Sequence, residues 1–599
     1  MQPKRTYKVT ELIFPYSRPE FATNHNLNNG GPQARLGPYT MYVDPTTVEI
    51  VRNSLVYASE EMGIALRNSA YSPNIRERMD HSAAIFDDEA RLLAQAEHIP
   101  VHLGSLPWGL VKSLEYCDRE GIDLEESSMI MVNNPYVAGT HLNDVTVIRP
   151  IYLSNSLVAY TANKAHHADV GGKVPGSISV DAKTLFEEGV VVDPKYLIRK
   201  NRFVQNTVTG FVSKSRTPKE RVGDLKAQTA ANITGERRVL ELVKKHGWKP
   251  FREACAESLR KTEHLMRLRL SKIRTGTYQA RDSLENPDGH DIQLKVTLTI
   301  SKGRLKVDYA GTDGQVSNPL NAVYGVTLSG VHYVVRTLTG DDVPANNGAF
   351  TPITVNAPEG TILNPTFPHP VAGGNMETSQ RNADLLYRGF SKAIPDRVPA
   401  DSGGSMNNIM MGGTYKGRNW AFYETIGVGL GARSDADGID GIQANMTNTM
   451  NTPIEEIERS YPLLVKQYEL RPNSAGRGQH RGGTGIIRSY QALTDEITMT
   501  VLADRGRNKP QGLYGGGPGA RTEVALYKMG RGKTRKVKLP VKITVLLQKG
   551  DTIEIKTAGG GGYGRPESRD KTRVRDDIRN GIISHSYAKR ANYRIPVAC

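Results

Sequence analysis

The sequence predicts an α+β protein of several units, a multidomain mixed α/β chain whose helix-containing N-terminal half is followed by β-rich domains. Three observations predict it. The chain has 599 residues, and since one core organises about 100–200, about three to five units are expected. Before about residue 280, apolar residues recur at helical spacing over long stretches. From there to Gly564, short apolar alternations separated by Gly and Pro dominate, which is the pattern of strands and turns. The expected organisation is an N-terminal arm over 1–40, a mixed α/β region over 41–280, a β-rich region over 281–564 and a basic C-terminal tail over 565–599, either an ordered cap or a loose arm.

The elements follow in order. Asp44-Pro45 is a helix start, with Asp as cap and Pro in the first turn. Val48, Val51, Leu55, Ala58, Met62 and Ala65 then step by three and four along one face. Residues 83–86 and 129–132 are short apolar runs, and 110–116 reads as helical. Segments 145–152 and 157–163 read as a hairpin closed by Ser154-Asn155-Ser156. Thr217-Pro218-Lys219-Glu220 has the form of a capping box and opens a long helix, with a second helix over 251–273. Another hairpin spans 292–300 and 304–309 around Ser301-Lys302-Gly303.

Composition narrows the function classes. Hydrophobic content of 38% and charged content of 23% suit a folded chain rather than a disordered one. Lys and Arg number 78 against 62 Asp and Glu, so 78 − 62 gives +16. The basic residues are dispersed apart from local runs such as 528–538, and no RNP box, zinc-finger spacing or basic heptad region occurs, so nucleic-acid binding is not expected. The cysteines, Cys117, Cys255 and Cys599, form no CxxC pair, which fits a reducing cytoplasm. The first residues lack the apolar core of a signal peptide, and no run of about 18 apolar residues suggests a membrane span.

The densest polar cluster is YVAGTHLND (136–144) followed by KAHHADVGG (164–172). Two imidazoles and a carboxylate are the usual donors for a catalytic divalent metal with an open position, and His141, Asp144, His166, His167 and Asp169 supply that chemistry here. Neighbours on a strand point to opposite faces, so His166 and His167 do not both ligate one ion; either is the ligand on this ground alone. Asp169 suits a partner that orients a ligating imidazole. Arg76, Arg78, Asp80 and His81 form a second polar group, either projecting toward the same place or making surface ion pairs. His98 and His102 straddle Pro100 and read as loop. GRGKTR (530–535) imitates a phosphate loop, but Tyr527 stands where that pattern needs Gly. Gly559–Gly562 suits turn-building better than an anion cradle, and Cys117 and Cys255 read as buried thiols.

NPYVAGTHLNDVTVI (134–148) and KAHHADVGGKVPGS (164–177) resemble the hydantoinase B/oxoprolinase family, which includes subunits of N-methylhydantoinases and of acetone and acetophenone carboxylases. The likeness continues through RERMDHSAAIFD (76–87), PVHLGSLP (100–107), GDLKAQTAAN (223–232), DYAGTDGQVSNPLNA (308–322), VPANNGAF (343–350), NTPIEEIERSYP (451–462), LRPNSAGRGQHRGGTG (470–485) and AGGGGYGRP (558–566). It implies one divalent ion, zinc or manganese, held by His141, Asp144 and His166 with Asp80 beside them, within the 41–280 region. It also implies a hydantoinase A-type partner subunit that carries the ATP site, hence a hetero-oligomer. One departure is Asn134, where the family's DPY block has Asp; its expected consequence is confined to groups around the ligands.

The activity implied is ATP-dependent hydrolysis of a cyclic amide. ATP in the partner activates the amide or enol oxygen, and water made acidic by the metal, with a pKa near about 7, opens the ring. Asp169 or His167 handles protons in that scheme. The rival enzyme reading is an ATP-dependent ketone carboxylase, told apart by dependence on bicarbonate. A non-catalytic scaffold binding an anionic partner is the third reading and predicts salt-sensitive association.

Overall fold

The structure, a computed structural model, describes residues 43–96, 98–530 and 533–595. The 1–40 arm, Cys599, and Arg531 and Gly532 of the phosphate-loop mimic lie outside the described residues.

The first helix, Pro45–Ser69, begins where the sequence places it, with the Asp44 carboxylate accepting from the backbone N–H of Thr46 and Thr47. Its stripe Val48, Val51, Leu55, Ala58, Met62 and Leu66 is buried. It packs with the long helices Pro218–His246 and Trp248–Ser271. The capping box expected at Thr217 does not form: the hydroxyl makes no cap hydrogen bond, and the Thr217 N–H is taken by Ser215 Oγ at 3.2 Å.

These helices cover one face of a seven-stranded antiparallel sheet. Its strands are β1 (His81–Asp87), β2 (Leu92–Ala96), β3 (Met129–Val132), β4 (Asp144–Leu153), β5 (Ser156–His166), β6 (Lys195–Arg199) and β7 (Arg202–Phe203), in the order β2-β1-β5-β4-β3-β6-β7. The β4–β5 turn holds Ser154 at φ 48° and Asn155 at φ 64°, the left-handed pair that a two-residue hairpin of this twist requires. Ala83 and Ile85 of β1 join the core under the three helices, while Ala84 and Phe86 join the core on the other face. Burial on both faces explains why these strands read as continuous apolar runs rather than alternations.

On that second face, the helix His102–Glu120 packs against Tyr324–Thr339, which packs against Ser379–Ser391, which in turn covers a second sheet. That sheet comprises β8 (Gly276–Glu285), β9 (Asp291–Ser301), β10 (Arg304–Asp308) and β11 (Ile353–Asn356) in the order β11-β10-β9-β8. Residue 280 therefore falls inside β8 rather than between units. The helices Tyr324–Thr339 and Ser379–Ser391 stand inside the region read as β-rich. The first is buried over most of its surface and rich in β-branched residues, which gives its sequence the look of a buried strand run.

His332 of that helix is buried and stacked on Phe350 at 3.7 Å, and burial lowers its pKa to about 3. A folded pKa below the free value of about 6.5 gives stability that is complete above pH 6.5 and lost as pH falls toward about 3. In chemical denaturation, the stability of the parent relative to His332→Leu is expected to fall by roughly 1.4 kcal/mol per pH unit below about 6.5. A pH-independent difference contradicts this.

Beyond residue 400 the chain builds a sandwich. One sheet has the order β13-β12-β16-β19 and the other β14-β15-β20-β17-β18. The strands are β12 (Asn408–Tyr415), β13 (Arg418–Thr425), β14 (Leu463–Leu470), β15 (Ile486–Ala492), β16 (Ile497–Leu502), β17 (Glu523–Met529), β18 (Thr534–Leu539), β19 (Lys542–Leu547) and β20 (Thr552–Lys556). Ile409, Met411 and Val501 of the first sheet share a core with Tyr490, Leu526 and Ile553 of the second. Gly559–Gly562 neither turns nor cradles an anion. The N–H groups of Gly560, Gly561 and Gly562 are spent on the carbonyls of Gly483 at 2.9 Å, Asp401 at 2.8 Å and Gly517 at 2.9 Å. A Cβ on Gly560 would lie 1.9 Å from the Leu430 carbonyl oxygen. Gly560→Ala is expected to cost at least about 1–3 kcal/mol through backbone displacement; an unchanged thermal midpoint contradicts this.

The basic tail is folded from Pro566 to Tyr593. The helices Lys571–Arg579 and His585–Arg590 enclose Val574, Ile583, Ala588 and Tyr593. Arg569 pins them to Asp437 at 2.7 Å, and Arg481 bridges Asp440 at 2.7 Å and Asp577 at 3.0 Å. Among the described residues, no helix is long and apolar enough to cross a membrane.

Candidate metal centre

Strand register assembles the site. Asp144 opens β4 directly opposite His166, which closes β5, while His81 at the start of β1 pairs with Ala165 on the other side of β5. Asp80, Asp144 and His166 thus converge at one end of three neighbouring strands. The backbone fixes them there: His166 N–H donates to the Asp80 carbonyl at 3.0 Å, and Asp144 N–H donates to the His141 carbonyl at 3.0 Å. The turn 141–144 brings His141 back over the strand end.

The side chains form one buried cluster. One oxygen of the Asp144 carboxylate lies 3.0 Å from His141 Nδ1 and 3.3 Å from His102 Nε2; the other lies 3.4 Å from His166 Nδ1. Asp80 Oδ2 stands 3.9 Å from His166 Nδ1. Ligand atoms of His141, Asp144 and His166 all fall within 4.8 Å of one another. Among the described residues, neither ring nitrogen of His141 has a partner in hydrogen-bond geometry, and His166 Nε2 has none either. Buried imidazole nitrogens left unpaired are costly unless something else satisfies them. Two imidazoles and a carboxylate with free lone pairs fit a divalent ion with room for a further ligand.

Burial alone would raise the Asp144 carboxyl, but His141, His102 and His166 outweigh it and hold it well below the usual carboxylate range. Burial pushes the imidazoles of His102 and His166 down, toward the neutral form a metal requires. Asp80 moves up, again chiefly by burial, with His166 and Arg78 opposing.

The surrounding residues come from distant parts of the chain. His102, read as loop, begins the helix His102–Glu120 and is buried; its Nδ1 lies 3.0 Å from Ser82 Oγ and its Nε2 faces Asp144. Tyr423 of β13 stacks on His166 at 4.6 Å, with ring planes 9° apart. Arg78 lies over the Tyr423 ring at 4.6 Å and bonds Thr425 Oγ1 at 2.9 Å, Thr449 Oγ1 at 3.1 Å and the side chain of Asn74. Arg78 and Asp80 are therefore interior groups, and Arg78 joins the N-terminal sheet to the C-terminal sandwich. The cluster opens on a cavity of about 20 Å³, walled also by Asn375, Met406 and Met446. That is room for about one water or ion.

His167 and Asp169 are not brought to the cluster. Strand alternation turns His167 to the opposite face, where its Nε2 meets Gln228 Oε1 at 3.0 Å and its ring packs edge-on against Phe211. Asp169 is spent on Arg216 at 2.9 Å and on the N–H groups of Gly176 at 3.1 Å and Arg216 at 3.0 Å, which close the 169–177 loop. Asn134 caps the turn Pro135–Ala138 and bonds Asp193 at 2.7 Å, apart from the cavity wall. Sequence reading missed His102, Tyr423 and Asn375. The PVHLGSLP block carried the only local signal, for His102.

Comparison with known proteins follows the same lines. The family model for hydantoinase B/oxoprolinase matches residues 44–566. The chain is 44% identical to an uncharacterized protein of Methanocaldococcus jannaschii, over 93% of this chain and 96% of that one. It is 32% identical to a putative D-/L-hydantoinase subunit of the B type from a Pseudomonas species, over 91% of this chain and 94% of the relative. It is 33% identical to 5-oxoprolinase 1 of Arabidopsis thaliana over 87% of this chain, but spans only 42% of that protein. The crystal structure of the ATP-dependent caprolactamase of Pseudomonas jessenii superposes with a TM-score of 0.86 at 27% identity, covering 93% of this chain and 97% of that one. Nucleotide-free acetone carboxylase shares the fold, with a TM-score of 0.85 at 18% identity over 92% of this chain and 79% of that one. The chain belongs to the hydantoinase B/oxoprolinase family.

Proposed function

We propose that this chain is the metal-holding subunit of an ATP-dependent enzyme that opens a cyclic amide, working with a hydantoinase A-type subunit that binds ATP. The observation that carries the reading is the buried His141, Asp144 and His166 set with unpaired imidazole nitrogens. Family membership and the named activities of the caprolactamase and 5-oxoprolinase relatives support the substrate class. The naming of the hydantoinase relative as one subunit among others supports a separate companion. So does the coverage of only 42% of the longer Arabidopsis 5-oxoprolinase, whose remaining length we assign to the ATP step.

His141, Asp144 and His166 would hold the ion, zinc or manganese, with Asp80 as a further oxygen donor beside His166. A divalent ion there supplies Lewis acidity toward a carbonyl or a water. His102 holds the Asp144 carboxylate in place, and Ser82 fixes the His102 ring. Tyr423, braced by Arg78, keeps the His166 ring from turning. Asn375 Oδ1, buried and unpaired on the cavity wall, is placed to accept a hydrogen bond from water or a substrate N–H. His167 and Asp169 act as structural supports rather than proton carriers, because His167 lies on the opposite face with its Nε2 on Gln228 and the Asp169 carboxylate is paired with Arg216. A cavity of about 20 Å³ between the N-terminal layers and the sandwich admits no organic ring, so substrate arrival requires the wall to part.

The test is turnover by the chain with its companion subunit, ATP and a panel of 5-oxoproline, hydantoin and caprolactam. Ring-opened product and ADP are expected to form together. ADP formation without ring opening, or product formation only with a ketone and bicarbonate, overturns the reading in favour of a carboxylase.

A further inference from the structure

A second cavity, of about 170 Å³, lies beside the metal cavity and shares Ile99 with it as a wall. Pro100, Leu103 and Tyr333 give it an apolar side, and Arg336, Thr337 and Asp341 line the rest. Gln95 of β2 also lines it, and this side chain is out of place by ordinary rules. It is 4% exposed, yet neither its amide nitrogen nor its amide oxygen has a hydrogen-bond partner among the described residues. A buried carboxamide normally satisfies both atoms, and leaving both unpaired points to something that satisfies them in function.

We infer that this cavity binds the amide edge of the cyclic substrate, with Gln95 as its specificity-determining residue. The inference rests on the cyclic-amide reading above and names where that substrate is recognised. A small-ring amide is held cis, so its N–H and C=O lie on one edge. The Gln95 carboxamide presents an N–H and a C=O on one edge as well. The two edges pair through two hydrogen bonds, and the apolar wall takes the ring methylenes. The volume is below the roughly 300–1,000 Å³ of pockets for larger ligands, which restricts the occupant to a single ring. The partition toward the metal cavity is the segment Ile99–His102. Ile99 N–H donates to Ser82 Oγ at 3.3 Å, and the same hydroxyl lies 3.0 Å from His102 Nδ1. Displacement of that segment would connect the bound amide to the cavity beside Asp144.

The experiment titrates the full-length, metal-loaded chain and its Gln95→Leu variant with 2-pyrrolidinone and with N-methyl-2-pyrrolidinone, which lacks the N–H. The parent is expected to bind 2-pyrrolidinone saturably and at least about tenfold tighter than the N-methyl compound. Gln95→Leu is expected to lose that preference while its thermal midpoint stays level or rises, since two unpaired polar atoms have been removed. A purely structural Gln95 predicts the opposite, a lower midpoint with unchanged lactam affinity, and that result overturns the inference. Absence of lactam binding by the parent overturns it too. Metal content and turnover with the companion subunit, measured on the same samples, separate the two levels. If both are present and lactam affinity is insensitive to Gln95, this inference alone fails; if both are absent, the functional reading fails with it.

Discussion

Asp144→Ala is expected to empty the metal centre and to lower turnover of the complex by more than about 100-fold, while the chain remains folded. Among the described residues, Asp144 is the one carboxylate that reaches His102, His141 and His166 together. Loss of an outer partner of a ligand already costs about 10–100-fold in affinity or activity, so loss of the ligand lies beyond that range. The fold survives because the β4–β5 ladder and the Asp144 N–H bond to the His141 carbonyl belong to the backbone. Asp144→Asn separates charge from shape: it retains an oxygen toward His102 but not the negative charge that neutralises an ion. Both variants are checked by metal content, turnover and thermal midpoint. Full metal occupancy in Asp144→Ala contradicts the assignment.

Arg381→Met is expected to destabilise the chain by about 3–5 kcal/mol, the range for removing one partner from a buried ion pair. Arg381 is fully buried, 3.0 Å from Asp504, 3.5 Å from Asp282 and 3.7 Å from Asp384. Arg505 reaches Asp384 at 2.9 Å and Asp401 at 3.2 Å, Arg388 reaches Asp282 at 3.0 Å and also pairs with Asp401, and Lys542 reaches Asp504 at 3.3 Å. Asp282, Asp384, Asp401 and Asp504 thus balance Arg381, Arg388, Arg505 and Lys542, four charges of each sign. Removing Arg381 leaves one carboxylate uncompensated in the interior. The network also ties the second sheet to the sandwich and, through the Arg381 contact with the Gly404 carbonyl, braces the segment leading to Met406 on the metal cavity wall. The denaturation midpoint checks the effect. If Asp504→Leu restores part of the loss in a double variant, the coupling is direct; an unchanged midpoint for Arg381→Met contradicts it.

What the sequence discloses follows from how local its signals are. The β4–β5 hairpin was readable because the turn residues and both strands are contiguous, and it brings the 141–144 and 166 segments together. Asp80 was readable only as one of two alternatives, since nothing local distinguishes an interior Arg78 from a surface one. The helix Ser379–Ser391 is passed over because it also buries Gln380, Arg381, Asn382 and Asp384, polar residues that a search for an apolar inward face does not count. Their partners lie between residues 282 and 542, a span no local pattern encodes. His102 was obscured by Pro100, although the chain enters a helix two residues later and tolerates Pro107 in its first turns. Tyr423 and Asn375 reach the cavity from the sandwich and from the turn Gly374–Thr378, and only the packed fold makes them neighbours of His166.

Elemental mass spectrometry of the purified chain shows directly whether the buried His141, Asp144 and His166 set is a divalent metal centre. About one zinc or manganese per chain is expected. Absence of metal in the parent chain, even after reconstitution with both ions, would contradict it.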